Sequence, residues 1–146
     1  MLEMSKPSLR NFMGEGFYDG FSIAKATSEH ANILQHNLRD SDVRECIIHG
    51  ASPFRALMSG VREKGENYTC IIDGEPICMF GVNPIMDMMI GRIWLLGSYE
   101  IEKRGRKFIR WSQSVVNYYQ EKYYQLENVV PADHKDTIDW LQFLGF

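Results

Sequence analysis

Four consecutive large apolar residues, Ile93, Trp94, Leu95 and Leu96, stand between Arg92 and Gly97, and no other feature limits the fold of this chain so strongly. A run this short, closed by a glycine, has the length of a strand rather than of a helix. Successive side chains of a strand point to opposite faces, so a strand apolar at every position needs cover on both. The run therefore predicts a central strand in a sheet packed on two sides.

The preceding segments supply neighbours for it. Phe21 to Thr27 sets Phe21, Ile23, Ala24 and Ala26 against polar residues and predicts a short first strand. Ser28 is placed to cap a helix that carries Ala31, Ile33, Leu34 and Leu38 to about Cys46, with Asp40, Ser41 and Asp42 as a point where it breaks into two pieces. Pro53 restarts a helix, because the missing donor has no helical partner at a first position, and Gly65 ends it. From Asn67 the period changes to two. Tyr68 to Ile72 runs into Asp73 and Gly74, a strong hairpin signal, and Ile77 to Val82 returns as the second strand. Met86, Met88 and Met89 lie in the following connection, as adaptable packing or as a binding surface.

Beyond the central run, Phe108, Trp111, Val115, Tyr119 and Tyr123 recur at helical spacing and predict a helix from about Arg106 to Tyr124. Leu126 to Val130 forms one more strand, closed by Pro131, and Ile138, Leu141 and Leu144 share one face of a last helix, Lys135 to Leu144, capped by Gly145. The order is β-α-α-β-β-β-α-β-α, an α/β fold with a mixed sheet flanked by helices. Residues 1–20, rich in breakers, read as an N-terminal arm before a domain spanning 21–146, first as a mobile terminus and, through Phe12, Phe17 and Tyr18, alternatively as a segment lying on the domain or on a partner.

Composition narrows the function classes. With 146 residues and 45% hydrophobic side chains, one domain can bury a core without a metal or disulfide staple. The 16 basic against 19 acidic residues leave −3, so a chain-wide basic footprint for nucleic acid is absent. No apolar run approaches the roughly 20 residues that span a bilayer. Met1 to Gly20 lacks the apolar stretch of a secretory signal, so the expected compartment is intracellular. Cys46, Cys70 and Cys78 have no C-x-x-C spacing and read as buried small hydrophobes, and His30, His36, His49 and His134 form no i, i+4 ligand pair.

The densest charge feature is Lys103, Arg104, Arg106, Lys107 and Arg110, five of the 16 basic residues within eight positions. They precede or open the long helix, where cations oppose the helix dipole unless an anion lies between them. Two readings fit: a phosphate cradle in which Gly105 allows close backbone approach, or a solvated basic turn. A nucleic-acid surface is disfavoured, since no aromatic residues alternate with the charges. Glu66, Glu75 and Glu100, near strand ends, are placed where a general base can sit, but none is singled out. Tyr99, Tyr118, Tyr119, Tyr123 and Tyr124 are equally undecided.

The strand "GRIWLLGS", the loop "EKRGRKF", the long helix, the strand "LENVV" and the closing "HKDTIDWLQFLGF" fall in the order of the GNAT (Gcn5-related N-acetyltransferase) superfamily, which residues 21–146 resemble. Ile138, Gly145 and Phe146 match the closing pattern N-x-x-A-I-x-x-Y-x-x-x-G-F. The chain is most similar to divergent GNAT-like proteins of T7-like podoviruses, grouped with internal virion proteins. The resemblance implies acetyl-CoA as cofactor. Arg104, Gly105, Arg106 and Lys107 would hold its pyrophosphate, the backbone of Leu96, Gly97 and Ser98 would pair with the pantetheine arm in a splayed strand pair with Leu96 on one side and Asn128 on the other, and His134, at the place of the family's Asn, is either a cofactor contact or a solvent-facing residue at the start of the last helix.

The departures bear on activity. In the family's Q/R-x-x-G-x-G/A loop, Lys107 and Ile109 replace both glycines, and Leu141 stands where a tyrosine often protonates the leaving thiolate. The catalytic residues are thus unassigned. The first expectation is a catalytically degenerate phage protein acting in virion assembly or as a host-interaction factor, with phage or host proteins as partners, in the host cytoplasm or virion. The alternative is an active N-acetyltransferase. The family's fold continues past Gly-Phe into two further strands, so a chain closing at Phe146 implies an open sheet edge and a homo-oligomer through it.

Overall fold

The computed structural model describes residues 20–62, 65–87, 89–130 and 132–146, so the arm expected over 1–20 lies outside the described residues except for Gly20, and so does Met88. Five strands form one sheet in chain order: β1 (Phe21–Lys25), β2 (Glu66–Ile72), β3 (Glu75–Ile85), β4 (Ile90–Gly97) and β5 (Gln125–Glu127). The first four are antiparallel, and β4 pairs with β5 in parallel. Helices α1 (Ser28–Leu34), α2 (Asp40–Ile48) and α3 (Pro53–Arg62) lie between β1 and β2, α4 (Glu100–Gln120) between β4 and β5, and α5 (Lys135–Phe143) after β5. This is the expected mixed sheet flanked by helices, with the first helix divided in two where Leu38 bridges to Ser98 and Arg39 turns extended.

The central run is covered on both faces. Trp94 and Leu96 pack with Ala31, Leu34, Leu38, Leu57 and Met79 beneath α1 to α3, while Ile93 and Leu95 pack with Phe80, Phe108, Trp111 and Tyr119 beneath α4. Trp111 organises the second layer, its ring 5.0 Å from Phe80, 5.3 Å from Phe108 and 5.5 Å from Phe21. Asp73 and Gly74 both take positive φ, 52° and 82°, the geometry of the tight turn that suits a two-residue hairpin. Cys70 and Cys78 face each other in register across this hairpin as free thiols.

Three boundaries differ from the sequence reading. The cap of α1 is Thr27 rather than Ser28: Thr27 is the extended residue, its side chain accepts the His30 N–H, and the His30 ring accepts the Thr27 N–H, each at 3.2 Å. The long helix starts at Glu100 instead of Arg106 and ends at Gln120. Gly105 interrupts it at φ 54° and ψ −126°, a conformation open to glycine, so a short helical piece precedes the expected start. The last strand is shorter than Leu126 to Val130, since β5 leaves the ladder after Glu127.

Candidate functional site

That departure creates the site. The β4–β5 ladder covers Ile90, Gly91 and Arg92 against Gln125, Leu126 and Glu127, and it ends at the Arg92–Glu127 ion pair, 2.8 Å. Beyond it the strands separate, opening a cleft of about 630 Å³. Leu96 lines one side and Asn128 the other, with Ile93, Trp94 and Leu95 along the strand.

Register decides which backbone groups of β4 face the cleft. The Ser98 N–H donates to the Ile77 carbonyl at 2.9 Å, continuing the β3 ladder. Alternation in an antiparallel pair then turns Leu96 and Trp94 towards β3 and turns Gly97, Leu95 and Ile93 the other way. Gly97 is already engaged: its N–H donates to Asp42 Oδ2 at 2.9 Å and its carbonyl accepts the Arg39 N–H at 2.9 Å. The expected pairing of Leu96, Gly97 and Ser98 with a pantetheine arm is therefore corrected: Ile93 and Leu95 carry the backbone groups aimed across the splay.

The basic segment lies apart from the residues that line the cleft. Arg104 is half-buried and pairs with Glu100 at 3.3 Å, Lys103 pairs with Glu100 at 3.0 Å, and Gly105, Arg106 and Lys107 are exposed at the kink. The lysine and arginine beside Glu100 hold its carboxyl below the usual range. The same segment thus carries its own counter-charge, which the sequence reading had not included.

The glutamates named from sequence stand elsewhere. Glu66 accepts from Lys122 and from the Tyr68 hydroxyl, Glu75 opens β3 at the hairpin, and Glu100 is engaged as above. Tyr99 accepts the Asp40 N–H through its hydroxyl at 3.0 Å, and Tyr119 reaches the cleft but donates to the Glu66 carbonyl at 3.2 Å. Burial raises the Tyr119 phenol well above its ordinary value. Leu141 lines the cleft and offers no proton.

The charged wall was missed. Asp42, Glu45 and His49, spaced three and four along α2, all line the cleft beside Cys46. Asp42 is buried, bridged by Arg39 Nε and Nη2 at 3.0 and 3.1 Å, and burial still pushes its carboxyl up against the opposing pull of Arg39 and Gly97. Burial also raises Glu45, helped by Asp42 and opposed by His134, His49 and Arg39. His134, beside α5, is buried, and its Nε2 has no hydrogen-bond partner among the described residues. The Arg44–Asp133 ion pair, 3.0 Å, ties α2 to the residue before it. A periodic stripe of titratable residues next to an apolar one was the available signal, but a polar helix face normally reads as solvated.

No protein-family model and no curated protein matches the chain. Among solved structures it is similar to an acetyltransferase of the GNAT family from Bacillus anthracis, with a TM-score of 0.64 and 13% identity over 86% of this chain and 79% of that one. It is also similar to the GNAT domain of S. lividans PAT, with a TM-score of 0.66 and 12% identity over 86% and 80%. The ribosomal-protein-S18-alanine N-acetyltransferase from Escherichia coli gives 0.60 and 12% over 86% and 76%. The fold is that of the GNAT acetyltransferases.

Proposed function

We propose that this chain is an acetyl-CoA-dependent N-acetyltransferase. The splay of β4 from β5 carries the reading: a largely apolar cleft beside a strand whose Ile93 and Leu95 backbone groups face it can pair with an extended amide-bearing arm. The residues fit such a group. Ile93, Leu95 and Asn128 would hold the arm, and Arg104, Arg106 and Lys107, at the helix restart after Gly105, would hold the phosphates through side-chain charge where the family's loop uses glycines. Bound acetyl-CoA supplies a thioester carbonyl open to attack by an amine. The chain would align the two reactants, and proximity of this kind can supply a large part of a rate enhancement.

A second reading, the catalytically degenerate phage protein, draws support from Leu141, which leaves the cleft without the tyrosine proton, and from the side chains at Lys107 and Ile109. Its role in virion assembly or host interaction rests on the sequence resemblance alone and is tested by looking for the chain in purified particles. Association through a sheet edge is read by sedimentation. No helix among the described residues is long and apolar enough to cross a membrane.

Calorimetry with acetyl-CoA separates the readings. Micromolar binding that weakens at least tenfold in the Arg104→Ala, Arg106→Ala double variant supports the enzyme. A flat titration removes the cofactor and the reading with it.

A further inference from the structure

The cleft has two unlike walls. Trp111, Val115 and Leu141 make the α4–α5 side apolar, whereas Asp42, Glu45 and His49 make the α2 side charged. An acyl-bearing arm suits the first wall, so the second is left to face the acceptor. Of its two carboxylates, Asp42 is committed to Arg39 and to the Gly97 N–H. Glu45, half-buried, makes no side-chain hydrogen bond or ion pair among the described residues, and it faces His134, whose buried Nε2 is also without a partner. The Glu45 carboxylate is only partly buried and opens into the cleft, so it is free to meet a ligand there, while the buried His134 Nε2 beside it is the atom left without a partner.

We propose that Glu45 takes the proton from a primary ammonium group presented on the α2 side of the cleft, an inference that rests on the acetyltransferase reading above. A carboxylate there attracts a cationic acceptor and then frees the nitrogen lone pair. The N–C bond to the acyl carbon forms as the C–S bond breaks. The nitrogen gives up two protons in all: one ends on the departing thiolate and one in solvent. Burial and Asp42 make Glu45 a stronger base than an exposed glutamate, while His134 from α5, with His49 and Arg39 on or beside α2, draw it back; Arg55 of α3 lines the same cleft.

The test uses the whole chain and three readouts: calorimetry with acetyl-CoA, thiol release from acetyl-CoA with a panel of primary amines (a polyamine, a lysyl peptide, a peptide with a free α-amino group), and carboxyl-carbon NMR titration of Glu45 in the free protein. Glu45→Gln is expected to bind acetyl-CoA within twofold of the parent yet lose at least a hundredfold in transfer, with Glu45→Asp recovering part of it. The pH at which transfer rises is expected to match the Glu45 carboxyl titration, and His134→Gln is expected to move both upward. Transfer by Glu45→Gln within threefold of the parent, or a Glu45 titration at or below that of an exposed glutamate, overturns this proposal alone, whereas binding without transfer to any amine overturns it together with the acetyltransferase reading. Absence of acetyl-CoA binding overturns the acetyltransferase reading and this proposal together.

Discussion

The Asp42 carboxylate accepts the backbone N–H of Gly97 at 2.9 Å, joining positions 55 residues apart. Gly97 is the last residue of β4, and its outward N–H and carbonyl would meet β5 if the parallel ladder continued. Asp42 and the Arg39 N–H take those bonds instead. The start of α2 thus substitutes for a strand partner at the end of β4, and the strands can part without leaving orphaned groups there.

Asp42→Ala is accordingly expected to destabilise the fold by about 3 kcal/mol, the low end of the range for breaking a buried pair, because Arg39 keeps Glu102 at 3.8 Å as a more distant, exposed partner. Arg39 loses its bidentate partner and Gly97 loses its acceptor in one change. Asp42→Asn retains a carbonyl oxygen for Gly97 and should cost less. Urea denaturation of the two variants checks the order, and equal losses would show that the Gly97 bond contributes little.

Glu45 gives a pH-dependent prediction of definite sign. Its folded pKa lies above the ordinary glutamate value of 4.5, chiefly through burial, so the folded protein holds this proton more tightly than the unfolded chain. The ionised carboxylate therefore weakens folding as pH rises from about the unfolded value through the raised folded one, after which the penalty is constant. Glu45→Gln removes it. The variant should match the parent below pH 4.5 and exceed it at pH 7 in urea midpoint. A constant offset across that window would show that burial does not act on this group.

The layout was legible where one local rule dominated. Ile93 to Leu96 named its own two-sided burial, and Asp73 with Gly74 placed the hairpin turn, although the β2–β3 register shifts between Cys70 and Ile71, which the turn does not announce. Gly105 was less readable, because a glycine inside a helical period marks a break only when its φ turns positive, which packing decides. The charged wall of α2 was hidden for another reason: Asp42 and Glu45 look like solvated helix residues until the edge of β4 is set against them, and nothing local to residues 40–48 announces a strand 50 residues onward.

Gly60 sets the distance between α3 and the floor of the cleft. A β-carbon there would fall 2.3 Å from Trp94 Cζ2 and 2.5 Å from Cη2, and the indole is held by its N–H bond to Asn67 Oδ1 at 2.7 Å. Gly60→Ala should therefore cost about 1–3 kcal/mol through overpacking, partly offset by up to about 1 kcal/mol of helix propensity. A thermal midpoint raised by the substitution would mean that the indole yields easily.

Cys46 reports on the same wall from inside. The thiol lines the cleft, is 3% exposed, and is pushed up to about 11 by burial, with Asp42 and Glu45 adding to the shift. At pH 8 only about a thousandth of it is thiolate, the form that reacts. Iodoacetamide should therefore modify native Cys46 at least about a hundredfold more slowly than the same residue in denaturant, where both protonation and access are relieved. Glu45→Gln removes one of the two anions that oppose ionisation, so labelling should quicken in that variant while Cys70 and Cys78, at 0% exposure, stay unmodified. Peptide mass mapping after timed alkylation separates the three sites. Full labelling of Cys46 within minutes at pH 8 would show the cleft open to reagent and the anions of α2 without hold on the thiol.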